Sequence, residues 1–351
     1  MSTASAVRRL AVLVLAVGGV FALGFAPPEQ GTPPGKGAGK PARNYRLSGP
    51  YTHDNLTLFL IHGEDQLRNK NILTLDEALE QKKVVVHETG QVNALAIENV
   101  SPTDEIFIQA GDIVKGGQQD RLIAFDQLVP PKSGKLPLSS FCAEHGRWSM
   151  RAGEDAATFN SAKGQAPTNA LKLAARGASD QGQVWDHVAR TQRRLAMSLN
   201  APVQDSRSAS SLQLTLEHKK LRAAVDAYTK RLAPAVDKKD DVIGYAVAIN
   251  GRVNNADVYA SSALFKKLWP KLLESSAVEA VAELRKDQKF QPADAGAVKA
   301  FLADAEKGKA SAKEVSKRFR QVQKETEKNV LFETLDRQQP GAAVRRSYIA
   351  K

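Results

Sequence analysis

The chain has 351 residues, 42% hydrophobic and 25% charged, with a formal net charge of +12. This composition is that of a folded soluble protein and excludes chain-wide disorder and a polytopic membrane protein. The single cysteine, Cys142, excludes an internal disulfide framework and any multi-cysteine metal site.

At the N-terminus, Arg8 and Arg9 precede the uncharged stretch Leu10–Phe25, and cleavage is offered after Ala22 or, second, after Ala26. This is the pattern of a secretory signal peptide over residues 1–26, so the expected location is exported, periplasmic or extracellular. The apolar stretch falls short of the ~20 residues of a spanning helix. An uncleaved leader is the alternative, and the only membrane contact the sequence suggests. Residues 27–44 are rich in Pro and Gly and carry no large apolar side chain, so they read as a flexible linker. The folded part is expected at 45–351, long enough to build a core without staples.

Strands are predicted at Asn55–Ile61, Lys83–His87, Asn93–Asn99, Glu105–Gln109, Arg121–Phe125 and Leu136–Glu144. Between the first two, Thr74 caps a short helix to Gln81, with Glu77 at the capping-box position. Short strands at this spacing over 45–150 predict an antiparallel sandwich or barrel. Residues 152–182, rich in Gly, Ala, Ser and Asn, read as a long surface excursion. A helix is predicted at Gln183–Leu199, and another from a Ser210 or Ser211 cap to Ala233. Val242–Ile249 and Arg252–Tyr259 form a hairpin around Asn250-Gly251. Ser261 or Ser262 caps a helix that Pro270 should kink. Helices at roughly 277–288 and 293–306 and a charged one at 311–328 follow. A last hairpin pairs Asn329–Leu335 with Val344–Ile349. The predicted class is α+β: an antiparallel β-sandwich or barrel with a helical half, 183–328. Hairpins 242–259 and 329–349 return to the sheet and make 45–351 one domain.

Charge is uneven. Residues 45–182 hold 14 basic and 17 acidic side chains, 183–277 hold 15 and 9, and 278–351 hold 16 and 11. A basic half could face phosphate, nucleic acid or an anionic membrane. Its cations are interleaved with acids and lack an aromatic platform, so solvated helix faces are the simpler reading and the nucleic-acid signal is not strong.

The densest polar cluster runs Gly111-Asp112-Ile113-Val114-Lys115-Gly116-Gly117-Gln118-Gln119-Asp120-Arg121. Gly116 and Gly117 permit close approach of a ligand or a bulge. Successive N–H groups there could form an anion nest, with Gln119 offering an amide and Arg121 a bidentate fork. The structural alternative is a wide loop with an internal Asp112–Arg121 or Asp120–Arg121 pair. The cluster lacks the Lys-Ser/Thr ending of a Walker loop. The second cluster is Phe141-Cys142-Ala143-Glu144-His145-Gly146-Arg147-Trp148. Cys142 is a candidate nucleophile or a buried structural thiol. On a strand it shares a face with Glu144 while His145 points away, so its base must come from elsewhere. Glu144 and Arg147 read as a salt bridge or as ligand contacts, and Trp148 as a core lid or a ligand stack. Asn250-Gly251-Arg252 with Asp257 is a lesser polar spot. The histidines show no metal-binding spacing and no GxSxG is present, so neither a metal nor a cofactor is assigned.

These blocks together resemble one family. Gly111-Asp112 with Gly116-Gly117, Gln119, Asp120 and Arg121 forms the first. Asp126, Leu128-Val129-Pro130-Pro131 and then Phe141-Cys142, Glu144 and Arg147-Trp148 form the second. Gly244 to Gly251 with Asp257 and Trp269 forms the third. They are similar to the ARG and rhodanese-phosphatase-superfamily-associated protein domain over most of 45–351. The resemblance implies architecture and an ADP-ribose or nucleotide context rather than a defined reaction. Position 118, often basic in the family, is Gln here, which weakens a phosphate clamp.

Two functions are carried forward. One is a non-catalytic binding or scaffold protein of the cell envelope, with an anionic small molecule or an envelope protein as partner. The other is a hydrolase-like enzyme acting on a phosphorylated or ADP-ribosyl-type molecule. In it Arg121 and Arg147 hold the anion, the Gly116-Gly117 backbone donates, and Glu144 or Asp112 is the general base.

Overall fold

The computed structural model of the chain describes residues 43–67, 71–178, 180–285 and 288–351. The expected signal at 1–26 lies outside the described residues, as does all but the end of the expected linker at 27–44.

The first half runs β1 (Arg46–His53), β2 (Leu56–His62), β3 (Ile72–Thr74), α1 (Leu75–Glu80), β4 (Val84–Gln91), β5 (Ala94–Asn99), β6 (Glu105–Ile108), β7 (Asp112–Gly116), β8 (Arg121–Ile123), β9 (Gln127–Val129), β10 (Lys135–Cys142) and β11 (Phe159–Gln165). The second runs α2 (Asn169–Leu173), a π-helical turn at Ala174–Ala178, α3 (Gln181–Leu199), α4 (Leu212–Leu216), α5 (Lys219–Leu232), β12 (Val242–Ile249), β13 (Arg252–Tyr259), α6 (Ser262–Ala282), α7 (Ala295–Glu306), β14 (Lys309–Glu314), β15 (Phe319–Glu325), β16 (Asn329–Asp336) and β17 (Ala343–Ala350).

Eight strands form an antiparallel sheet in the order β1-β2-β12-β13-β17-β16-β15-β14. Six form a second, β11-β7-β8-β10-β5-β4, and β3, β6 and β9 form a third in which β3 and β6 are parallel. The protein is thus α+β with sandwich and barrel character, and the late hairpins do return to the early strands: Val242 lies opposite His62 and Ile249 opposite Leu56. The reason is visible in β12, VIGYAVAI, where every residue is buried. A strand apolar on both faces must be covered on both. On one face Leu56, Leu58, Leu60 and Val247 pack with Phe265 and Trp269 of α6. On the other Phe59, Ile61 and Ala246 pack with Val298, Phe301 and Leu302 of α7. The Thr74 capping box forms as expected, with Glu77 N–H donating to Thr74 Oγ1 at 3.2 Å and Thr74 N–H to Glu77 Oε2 at 2.9 Å.

Six segments differ from the sequence pattern. β1 was hidden by Gly49-Pro50, which the register break between Ser48 and Tyr51 absorbs at the sheet edge, where proline is tolerated. Asp112–Gly116 is a paired strand rather than part of a wide loop. The expected excursion at 152–182 is largely built into the core as β11, α2 and the π turn. Its small residues mark close approach: a Cβ on Gly164 would lie 2.7 Å from the Gln213 amide oxygen. The helix expected to run on to Ala233 breaks at His218, whose backbone is extended, giving α4 and α5. Conversely α6 runs unbroken through Pro270 and absorbs the start of the helix expected at 277–288. The charged helix expected at 311–328 is instead the hairpin β14–β15. Phe319 and Gln321 alternate inward from β15, and pairing with β16 overrides the helix propensity of its Lys and Glu. β14, exposed throughout and carrying Lys309 and Lys313, is a charged edge that resists further pairing.

Candidate functional site

β4 presents Glu88 to a ring of donors. Its Oε1 accepts the Thr89 and Gly90 N–H groups, both at 3.0 Å, and its Oε2 accepts the Gln118 N–H at 3.2 Å. Arg121 Nη2 reaches both oxygens, at 3.2 and 3.1 Å. Burial would raise the Glu88 pKa, but Arg121 and these N–H groups hold it below the ordinary carboxylate value. The successive N–H groups expected to form an anion nest at Gly116-Gly117 diverge instead: Gly116 N–H donates to Asp120 Oδ1 at 3.3 Å, Gly117 N–H to Asp155 O at 2.9 Å, and only the Gln118 N–H turns to Glu88. Gly117 is required there: its φ is +56°, and a Cβ would meet the Phe159 ring at 2.3 Å and Glu88 Oε2 at 2.8 Å.

Arg121 is fully buried. Its Nη1 donates to Val92 O at 2.5 Å and contacts Cys142 Sγ at 2.8 Å, since Arg121 and Cys142 are register partners across β8 and β10. Trp148 covers the guanidinium, 5.3 Å from its ring centroid, and is itself half exposed. Burial pushes the Cys142 thiol up to about 11, so at neutral pH it is protonated and a poor nucleophile. His145 packs edge-on against Trp185 and does not serve Cys142 as a base.

Next to this pair lies a second buried group. Asp120 N–H donates to Glu144 Oε1 at 2.9 Å. Arg147 donates to the same oxygen through Nε at 2.8 Å and through Nη2, and Ser208 Oγ donates to Oε2 at 2.6 Å. Asp120 accepts Arg151 Nη2 at 2.5 Å and Ser211 Oγ at 3.0 Å, and its Oδ1 takes the Gly116 N–H at 3.3 Å. Burial, and then the Glu144 charge, raises Asp120 to about 6 against the pull of Arg151. Burial would raise Glu144 too, but Arg147, Ser208 and the Asp120 N–H keep it low.

The sequence blocks thus converge: Gly116, Gly117, Arg121, Cys142, Glu144, Arg147 and Trp148 are neighbours. Gln119 is buried beside them in the loop between β7 and β8. Asp112 is not brought to the same place. It accepts Lys271 Nζ of α6 at 2.9 Å and the Gln109 N–H at 3.0 Å, and so clamps α6 to the second sheet. Glu88 on β4, Arg151 and Ser208, which complete the network, escaped the motif reading because they lie outside both sequence blocks.

A third buried network joins the sheets. Asp126 Oδ1 accepts the Ala110 N–H at 2.7 Å and Arg345 Nη1 at 2.8 Å, while Oδ2 accepts Arg176 Nη2 at 2.5 Å and Thr334 Oγ1 at 2.6 Å. Burial opposes that charge, but the two arginines win and lower Asp126 to about 2. Arg345 also holds Asp257, at 2.8 Å. The signal for it was a charge inside an otherwise buried strand, Val344 to Ile349.

The open concavity lies elsewhere. A cleft of about 1110 Å³ runs between α2, α3, the β12–β13 hairpin, the segment after α6 and β15–β16. Arg194 and Lys351 on its walls pair with Glu283 and Glu325. Arg190 and Arg252 also line it and have no carboxylate partner among the described residues. Glu279 stands at its floor: Oε1 accepts the Asn169 N–H at 2.9 Å, and Oε2 is buried without a hydrogen-bond partner among the described residues. Burial raises the Glu279 pKa. Phe290 and Phe332 supply apolar lining. Among the described residues no three His, Cys, Asp or Glu side chains gather as metal ligands, and no helix is long and apolar enough to cross a membrane.

Three mainly antiparallel sheets, interlocked by buried ion networks and flanked by an open cationic cleft, define an α+β protein with its motif residues turned inward. Residues 44–344 match the ARG and Rhodanese-Phosphatase-superfamily-associated Protein domain, and the chain belongs to that family. No curated protein and no solved structure matches it.

Proposed function

We propose that the chain is an exported, non-catalytic binding protein of the cell envelope whose cleft holds an anionic small molecule. The observation that carries this reading is a contrast of openness. The carboxylates near Arg121, Glu88 and Glu144, and the guanidinium of Arg147 are engaged by partners within the chain, and Arg121 keeps only its Nε without one among the described residues. Arg190 and Arg252 line the cleft without a carboxylate partner among the described residues. The cleft is at the upper end of ligand-site volumes, about 300–1,000 Å³. The leader pattern of residues 1–26 supports export, and N-terminal sequencing of the mature protein tests it, with cleavage after Ala22 expected.

A thermal-shift panel of nucleotides, ADP-ribose, sugar phosphates and dicarboxylates tests the binding. At 100 times the dissociation constant a ligand adds about 2.7 kcal/mol. The shift should vanish in the Arg190→Ala/Arg252→Ala double variant. The absence of a shift from any anion would count against the reading. One observation favours a second reading, a hydrolase-like enzyme acting on a phosphorylated or ADP-ribosyl-type molecule: the raised pKa and unpartnered oxygen of Glu279 suit a general acid in the cleft. Turnover abolished by Glu279→Gln with binding retained would establish that alternative.

A further inference from the structure

Beneath the cleft wall is a separate narrow, partly enclosed cavity of about 20 Å³, between α2, the π turn, β17 and the ends of β6 and β8. Lys172 and Arg176, four residues apart, line it from one side of the helical segment. Arg345 and Ser347, two apart on β17, line it from the sheet. π-helical turns such as Ala174–Ala178 often accompany functional positions.

The donors here are not used up. Arg176 places Nε on Gln321 and Nη2 on Asp126 and Thr334, leaving Nη1 without a hydrogen bond to any described residue. Lys172 Nζ makes no hydrogen bond or ion pair with any described residue, and neither does the hydroxyl of Ser347, which is only 3% exposed. The charges do not balance at contact distance either. Asp126 and Asp257 serve Arg176 and Arg345. Glu279 attracts Lys172 only from beyond ion-pair contact, and burial lowers the Lys172 pKa. Arg176 and Ser347 are buried and Lys172 is partly so, and buried donors are ordinarily paired.

We propose that this cavity binds a single chloride-sized monovalent anion, held by Lys172 Nζ, Arg176 Nη1 and Ser347 Oγ. One water-sized particle needs roughly 10–15 Å³ by the same measure, so the inner space takes one atom and a chloride fills it better than a polyatomic anion. The anion supplies the missing counter-charge and ties α2, whose other residues form the cleft wall, to the eight-stranded sheet. This site is independent of the ligand in the cleft.

The test is the melting temperature of the purified protein in sodium chloride or bromide against sodium gluconate at equal ionic strength. Gluconate is too large for the cavity. The site predicts a saturable rise of roughly 2–4 °C in chloride and bromide only. The chloride-specific rise should disappear in Lys172→Met and shift to higher chloride in Ser347→Ala, which keeps the proposal testable if the lysine variant does not fold. Crystals soaked in bromide should show an anomalous peak within hydrogen-bond distance of Lys172 Nζ. Superimposable chloride and gluconate curves would overturn the proposal, as would a cavity without bromide. A bromide peak without the chloride-specific rise would mark an adventitious ion only and overturn it equally.

Discussion

Arg121→Met is the perturbation that bears most directly on the motif cluster. The arginine is fully buried, and Glu88, its partner, is nearly so. Methionine restores the stem and much of the packing under Trp148 but removes the cation. Glu88 then keeps the N–H groups of Thr89, Gly90 and Gln118 and loses its counter-charge. Breaking one side of a buried pair costs about 3–5 kcal/mol. Glu88→Gln alone leaves Arg121 buried and uncompensated, at a similar cost. In the double variant the uncompensated charge is gone, and the glutamine oxygen still accepts from those N–H groups. The two single costs should therefore exceed the double cost by at least about 2 kcal/mol, within the range for residues in one network. Urea unfolding of the four proteins measures this, provided the slope stays constant. If Arg121→Met costs under about 1 kcal/mol, or the cycle adds within about 0.5 kcal/mol, the pair is not a structural lock. Arg121 would then be an available anion fork after all.

Three further outcomes follow from the same network. Asp120 titrates near 6 when folded, above its ordinary 3.8. Its contribution is therefore fully present below about 3.8 and is lost as pH rises through about 6. Measured against Asp120→Asn, the wild type should lose relative stability between pH 4 and 6, and a pH-independent gap would contradict the assignment. Gly117→Ala should destabilise by about 1–3 kcal/mol, because its Cβ would collide with the Phe159 ring. Gly90→Ala, with a positive φ but open space, should cost less in the same denaturation experiment. Cys142, buried with its thiol raised to about 11, should resist a disulfide reagent at pH 8 in the native protein and react at once in urea. Fast native labelling would mean the site opens.

Much of the fold was legible because local signals agreed with one another. The Thr74–Glu77 capping box, the Asn250-Gly251 hairpin and the wholly apolar β12 each had a single physical solution. What was not legible depended on distant partners. β15 has a helix-forming composition and becomes a strand because β16 offers it a ladder. The glycine-rich 152–182 segment looked solvated because close packing and exposure use the same small residues. For the site, the motif reading gathered residues that do meet in space, but it could not see that they satisfy one another. Glu88, 33 positions before Arg121, occupies the guanidinium fork that the motif offers to a ligand. Arg190 and Glu279 carry no motif, and Arg252 stands out only in the lesser polar spot Asn250-Gly251-Arg252. Glu279 gave a hint as a lone acid within the apolar run Ala277 to Ala282.

The most direct test is to locate the ligand itself. A crystal structure of the protein with its best-binding anion from the thermal-shift panel should show density in the cleft, with the anionic group between Arg190 and Arg252 and the Glu88–Arg121 and Glu144–Arg147 pairs unchanged. Density at Arg121 or Arg147, with Glu88 or Glu144 displaced from its partners, would contradict the account and return the site to the sequence motifs.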